Sequence, residues 1–176
     1  MSLISSFYKN NKRKLLASIL IIAIIATLIF VFSNSLKSSE QSSDQSSQLA
    51  EAIKPVVDPK DNIPFNIFEH HLRKLAHFSE FCLLGFLLFL LLAVLAKDNG
   101  KVTLPKYTAA LLFLLFTALV DETVQIISQR GSAVLDVWID FSGAIAGTFI
   151  AFLLTLAISF LSKRKTNRKN KAPSKV

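Results

Sequence analysis

Four long apolar runs dominate the chain: Leu15–Phe32, Leu75–Ala96, Tyr107–Ile127 and Val137–Leu161. They hold 18, 22, 21 and 25 residues, close to half of the 176-residue sequence. A helix rises about 1.5 Å per residue and a bilayer's hydrocarbon core is about 30 Å thick, so each run is of spanning length. No alternating strand pattern accompanies them, and a lone segment satisfies its backbone in lipid only as a helix. The runs therefore predict an all-α membrane protein, a bundle of four transmembrane helices. A soluble domain of this length is excluded by how the apolar residues are distributed.

The charges between the runs give an orientation. Lys9, Lys12, Arg13 and Lys14 precede the first run with no acid among them, and the tail after the fourth carries seven bases and no acid. The 97–106 loop holds three lysines against Asp98, whereas Ser33–Lys74 balances five bases with six acids. Basic flanks stay cytoplasmic, so both termini and the 97–106 loop are expected inside, with Ser33–Lys74 and the loop around Arg130 outside. The net charge of +8 thus reflects membrane topology and contact with anionic lipid headgroups, and no nucleic-acid partner is expected. The resulting division is a basic cytoplasmic N-terminus (1–14), a first span (15–32), an extracytoplasmic Ser/Gln-rich segment (33–64), a three-span domain (65–161) and a basic cytoplasmic tail (162–176).

The first run has a basic flank, and Ser33-Asn34-Ser35 resembles a small-residue cleavage site. Its 18 apolar residues exceed the usual signal-peptide core of about 7–15, which favours a retained anchor. Ser38–Gln48 repeats with a period of four (SSEQ-SSDQ-SSQ). So little apolar surface reads first as a solvated linker, although the period also suits a surface helix running toward Ile53. Pro55, Pro59 and Pro64 are expected to break the chain before the second span. Phe65, Ile67, Phe68 and Leu72 then belong at the outer interface or the top of the bundle. Cys82 is the lone cysteine and forms no internal disulfide. Trp138 and Tyr107 read as interfacial anchors, as do His70 and His71.

Ionisable residues inside the runs carry the functional information. Arg73, His77 and Glu80 fall at i, i+4 and i+7, on one helix face. Glu122, Gln125 and Gln129 form a second stripe with Asp121 beside it, and Asp136, Asp140, Gly143 and Gly147 form a third. From the expected topology Glu122 sits roughly 22 Å from the inner boundary and about 8 Å from the outer one. The three stripes therefore meet in the outer third of the membrane. A charge within a span costs at least about 2.5 kcal/mol unless it faces protein or water. Two readings follow: an interhelical salt-bridge network that locks the bundle, or an outward polar cavity that holds a ligand or does chemistry. Arg73, Arg130 and Asp136 are expected to hold helices together, with His77, Glu122 and Gln125 facing the cavity. Gly143 and Gly147 form a GxxxG step, which is expected to pack on the second or third span.

Arg73-Lys74-Leu75-Ala76-His77-Phe78-Ser79-Glu80-Phe81 resembles the R-K-x-x-H-F-x-E-[FY] segment of the VanZ-like membrane family. Asp121-Glu122-Thr123-Val124-Gln125 is similar to its D-E-x-x-Q segment. Arg130 through Asp136 resembles its R-x(5)-D segment, followed by Asp140, which stands where many relatives carry Asn. The ordered set, rather than any single motif, carries the resemblance. It implies a multi-pass protein of the bacterial cytoplasmic membrane and, from the family's founding member, resistance to the lipoglycopeptide antibiotic teicoplanin.

Two functional classes follow. A binding protein would use Arg73, Lys74, His77, Glu80, Asp121, Glu122, Gln125, Arg130, Asp136 and Asp140 around a lipid-linked cell-wall precursor or an acylated glycopeptide. Its basic groups would meet phosphate or carboxylate. An intramembrane enzyme acting on an envelope lipid or glycan would use His77 and Glu122 as acid/base candidates. A divalent cation among His77, Glu80, Glu122, Asp136 and Asp140 is conceivable, but the sequence assigns neither a metal site nor a cofactor, since the His77/Glu80 spacing is common by chance. There is no Ser-His-Asp order, phosphate-binding glycine loop or cysteine nucleophile.

Overall fold

The computed structural model describes the backbone over residues 2–96, 102–129 and 133–171, with side chains within those bounds over residues 11–162 and at Arg164. The described chain folds into five helices: α1 (Ser2–Ser35), α2 (Ser39–Val57), α3 (Phe65–Leu95), α4 (Leu104–Ile127) and α5 (Val134–Lys171). Four of them contain stretches long and apolar enough to cross a membrane, Asn11–Ser35, Phe65–Leu95, Leu104–Ile127 and Val134–Ser162. The fold expected from the apolar runs is therefore present, as a four-span helical bundle with one additional helix.

The helices overrun the apolar runs because helix formation does not stop where hydrophobicity does. Pro64 supplies the N-cap of α3 and Pro105 sits in the first turn of α4, positions where a missing N–H removes no helical bond. Starting at Phe65 makes Arg73, Lys74, His70 and His71 helical, and Phe68 is buried, which of its two expected places favours the top of the bundle over the interface.

The Ser/Gln-rich segment is a helix, not a solvated linker. Ser38 and Gln41 form a reciprocal capping box at its start. Ser42, Ser46, Ala50 and Lys54, four residues apart, are its buried stripe. The stripe packs against α3, where the Ser46 hydroxyl donates to Glu69. Small side chains bring this helix close to its neighbour, so a segment rich in serine and glutamine still finds a packed face. The expected break at Pro55 falls later. Pro55 lies within the last turn of α2, and the helix stops after Val57, where the Asp58 N–H donates to the Lys54 carbonyl at 2.8 Å. Asp58 then accepts from the N–H groups of Asn62 (3.0 Å) and Ile63 (2.8 Å) and pairs with Lys54 at 3.2 Å, which fixes the α2–α3 connection.

The most extensive interface joins α3 to α5. A Cβ at Gly143 would stand 2.3 Å from the Phe78 carbonyl oxygen, and one at Gly147 would stand 1.8 Å from that of Cys82. From the other side, a Cβ at Gly85 would meet the Ala144 carbonyl oxygen at 2.1 Å. Only hydrogen fits at these three points, so the GxxxG stripe packs on the second span. The Thr148 hydroxyl donates within α5 to the Ala144 carbonyl at 2.8 Å and reaches the Gly85 carbonyl across the seam at 3.4 Å. Around this seam Ile24, Val31, Phe81, Leu84, Leu114, Ala118 and Val137 form the apolar core. At the opposite end of α3, Arg13 of α1 donates to the carbonyls of Val94 and Ala96, closing the helix's C-terminal carbonyls with a cation.

Candidate functional site

The α1 and α4 helices end, and α3 and α5 begin, at the same end of the bundle, and α2 lies there too. Three charged stripes consequently converge. From α4 come Asp121, Glu122 and Gln125, which are 0%, 5% and 5% exposed. Asp140 of α5 is 1% exposed, while Asp136 and the α3 side chains of Arg73, Lys74, His77 and Glu80 are half-buried.

Asp121 is the best-held acid. Its Oδ1 accepts from the Ser35 hydroxyl at 2.5 Å and its Oδ2 from Gln125 Nε2 at 2.8 Å. The same Gln125 amide nitrogen lies 3.2 Å from Glu122 Oε1, so one side chain orients both acids. Asn34 Nδ2 donates to Glu80 Oε1 at 3.0 Å, and Asn34 Oδ1 accepts from Lys37 Nζ at 2.9 Å. His77 Nδ1 faces two carboxylates, Asp121 Oδ2 at 3.8 Å and Asp140 Oδ1 at 4.0 Å. Across the site Lys74 Nζ pairs with Asp136 Oδ1 at 3.0 Å. Both reading classes drawn from the sequence thus share residues: an ion pair ties α3 to α5, and a polar space remains beside it.

That space is a cavity of about 100 Å³. Arg73, Lys74 and His77 line it from α3, Glu122 and Gln125 from α4, and Asp136 and Asp140 from α5. Asp121 and Glu80 contribute from outside its lining. Arg130 lies outside the described residues. Gln129 leaves the α4 stripe, because the helix ends at Ile127 and Gln129 turns to a φ of 57° with its side chain exposed. Lys74, rather than Arg73, is the α3 base that reaches Asp136.

Several participants are absent from the sequence reading of the site. Ser39 and His70 line the cavity, and Asn34 and Ser35 supply the hydrogen bonds just described. The Ser33–Ser35 triplet that resembles a cleavage site is therefore where α1 joins the polar cluster.

Together these features define a multi-pass helical membrane protein with a polar site set into one end of its bundle. The family model for VanZ/LLP1 matches residues 18–155, and the chain belongs to that family. The family expected from the motifs around His77, Glu122 and Asp136 is thereby shown, and the match also takes in Asn34, Ser35 and α2. No curated protein and no solved structure gives a match.

Proposed function

We propose that this protein sits in the bacterial cytoplasmic membrane with its cavity facing outward, and that the cavity binds the polar head of an amphiphile. The ligand class is a lipid-linked cell-wall precursor or an acylated glycopeptide of the teicoplanin type, and protection against such drugs is the phenotype. The basic flanks at both termini support the orientation. The observation that carries the reading is the cavity itself, which sets Arg73 and Lys74 opposite Glu122, Asp136 and Asp140 in an otherwise apolar bundle. Polar groups that have no role in spanning a membrane are retained there against their desolvation cost. The basic pair suits phosphate or carboxylate, and the acids suit ammonium or sugar hydroxyls. The surrounding apolar helix surfaces suit an acyl chain.

A second reading, an enzyme acting on an envelope lipid or glycan, is favoured by the position of His77 between two buried carboxylates. His77 and Glu122 would then move protons. Native mass spectrometry of the purified protein tests the first reading, with a bound lipid precursor or added teicoplanin expected at the mass of a 1:1 complex. Turnover of an envelope lipid by the same preparation would move the assignment to the enzyme. Absence of any retained amphiphile, with no turnover, would remove both.

A further inference from the structure

Asp140 is the least satisfied charge among the described residues. It is 1% exposed and lines the cavity. Neither of its carboxylate oxygens has a hydrogen-bond partner among the described residues. An acid removed from water takes up a proton unless it is paired, hydrogen-bonded or bound to a metal, and a bound cation displaces that proton. The neighbouring ammonium of Lys74 is already 3.0 Å from Asp136. Asp121 and Glu122 lie nearby and add further negative charge to the same buried region.

The spacing of the groups around Asp140 is informative. His77 Nδ1 is 3.8 Å from Asp121 Oδ2 and 4.0 Å from Asp140 Oδ1. Both separations exceed the roughly 2.7–3.2 Å of an N–H···O bond. They suit donors that share one ion. Two ligands each about 2.1 Å from a cation stand no more than about 4.2 Å apart, and about 3.4 Å apart when tetrahedral. One ligand atom from each of His77, Asp121 and Asp140 lies within 4.8 Å of the others. Ligation by all three requires side-chain shifts that bring the widest pair inside the 4.2 Å limit, roughly 0.6 Å at most.

We infer that His77, Asp121 and Asp140 bind one divalent transition-metal cation, of the Mn²⁺ or Zn²⁺ kind, at the floor of the cavity. One imidazole nitrogen with two carboxylate oxygens selects this class over Mg²⁺ and Ca²⁺, which favour all-oxygen shells. Asp121 is already oriented as a metal-bound carboxylate should be. Ser35 and Gln125 each donate to one of its two oxygens, as the supporting hydrogen bonds of a metal-bound carboxylate do. Three protein ligands leave coordination positions for water or a ligand group entering from the cavity. The cation also neutralises acids that would otherwise repel a phosphate held by Arg73 and Lys74.

The site is tested without any amphiphile. Tag-free, full-length protein in detergent is stripped with EDTA and titrated with Mn²⁺ alone, free Mn²⁺ being read by electron paramagnetic resonance. Zn²⁺ retained after desalting is read by elemental mass spectrometry. The expected result is about one ion per chain and a rise in melting temperature on binding. Asp140→Asn and His77→Gln should each lose affinity at least about tenfold, while Glu51→Gln, which removes an exposed acid of α2 outside the site, should stay within about threefold. Ser35→Ala keeps all three ligands, and loss of its support to Asp121 should weaken binding by about 10–100-fold. This variant decides the matter if Asp140→Asn does not fold. A parent protein that holds neither metal overturns the inference, as do Asp140→Asn, His77→Gln and Ser35→Ala proteins that bind like the parent. Amphiphile binding is measured separately, so failure here leaves that reading standing.

Discussion

Alanine at Gly147 would place a methyl carbon 1.8 Å from the carbonyl oxygen of Cys82 and 2.7 Å from its carbonyl carbon. Ordinary contact begins at 3.4 Å, so the two backbones must part by as much as 1.6 Å along that line. No flexible side chain absorbs the shift, because the atoms that are met belong to the α3 backbone. Gly85 and Gly143 belong to the same seam and would lose their fit as well. In an unconstrained helix the same change stabilises by about 0.5–1 kcal/mol. Overpacking typically costs about 1–3 kcal/mol, and a rigid obstacle places this site at the upper end. The net expectation is a loss of about 2 kcal/mol, roughly thirtyfold in the unfolding equilibrium. Unfolding of the detergent-solubilised protein with rising dodecyl sulfate provides the assay. The single tryptophan, Trp138 near the start of α5, reports it alongside far-UV circular dichroism. Ala157→Leu, on an exposed face of the same helix, should leave the midpoint unchanged. A Gly147→Ala protein as stable as the parent, or more so, would refute the close-approach account, since helix propensity alone would then describe the result.

Three further outcomes are expected. With Cys82 replaced, a cysteine at Ser43 should react with an impermeant thiol reagent on intact cells, and one at Asn99 or Ser174 should not; the reverse pattern would put the cavity on the cytoplasmic side. His77→Ala and Glu122→Gln should keep near-normal membrane abundance yet abolish any protection against teicoplanin that expression is found to confer, measured as drug susceptibility beside protein level; equal protection at equal abundance would mean that the cavity is not the working site. The Asp58 carboxyl is held below the ordinary aspartate value of 3.8 by the N–H groups of Ile63 and Asn62, and then by Lys54. Its contribution is therefore present above that value and lost as pH falls through the depressed one, so proteolysis at the α2–α3 connection should rise in acid, and Asp58→Asn should remove that acid dependence.

The spans were legible because an apolar run of that length has only one stable form in lipid, whatever surrounds it. The Gly143–Gly147 step was legible for a similar reason, as small residues four apart make a groove on any helix. The α2 helix was harder to read. Composition records apolar area, and Ser42, Ser46 and Ala50 pack through smallness rather than apolar area. At the site, spacing assembled the α3 and α5 stripes, but it set Asp121 to the side of the Glu122 stripe. The rotation of α4 follows from its buried face, Leu114, Thr117, Ala118, Asp121, Glu122 and Gln125, so following the small and apolar residues down the helix would have reached Asp121 first. Asn34 and Ser35 gave no such signal. A short polar pair at the end of a span has the same appearance whether it meets headgroups, a peptidase or, as here, the acids of two other helices.

The glycine seam also bears on how the protein is made. The two helices it joins are not neighbours in the chain, since α4 is synthesised between them. A ribosome adds about 5–20 residues per second, so α3 exists for several seconds before the residues that it will clasp have emerged. Throughout that interval it carries Arg73, Lys74, His77 and Glu80 with no α5 to cover them. A helix in this condition is a natural client for an insertase or chaperone that shields polar faces in the bilayer. Depletion of such a factor should strike this protein at the second span, leaving the first correctly inserted.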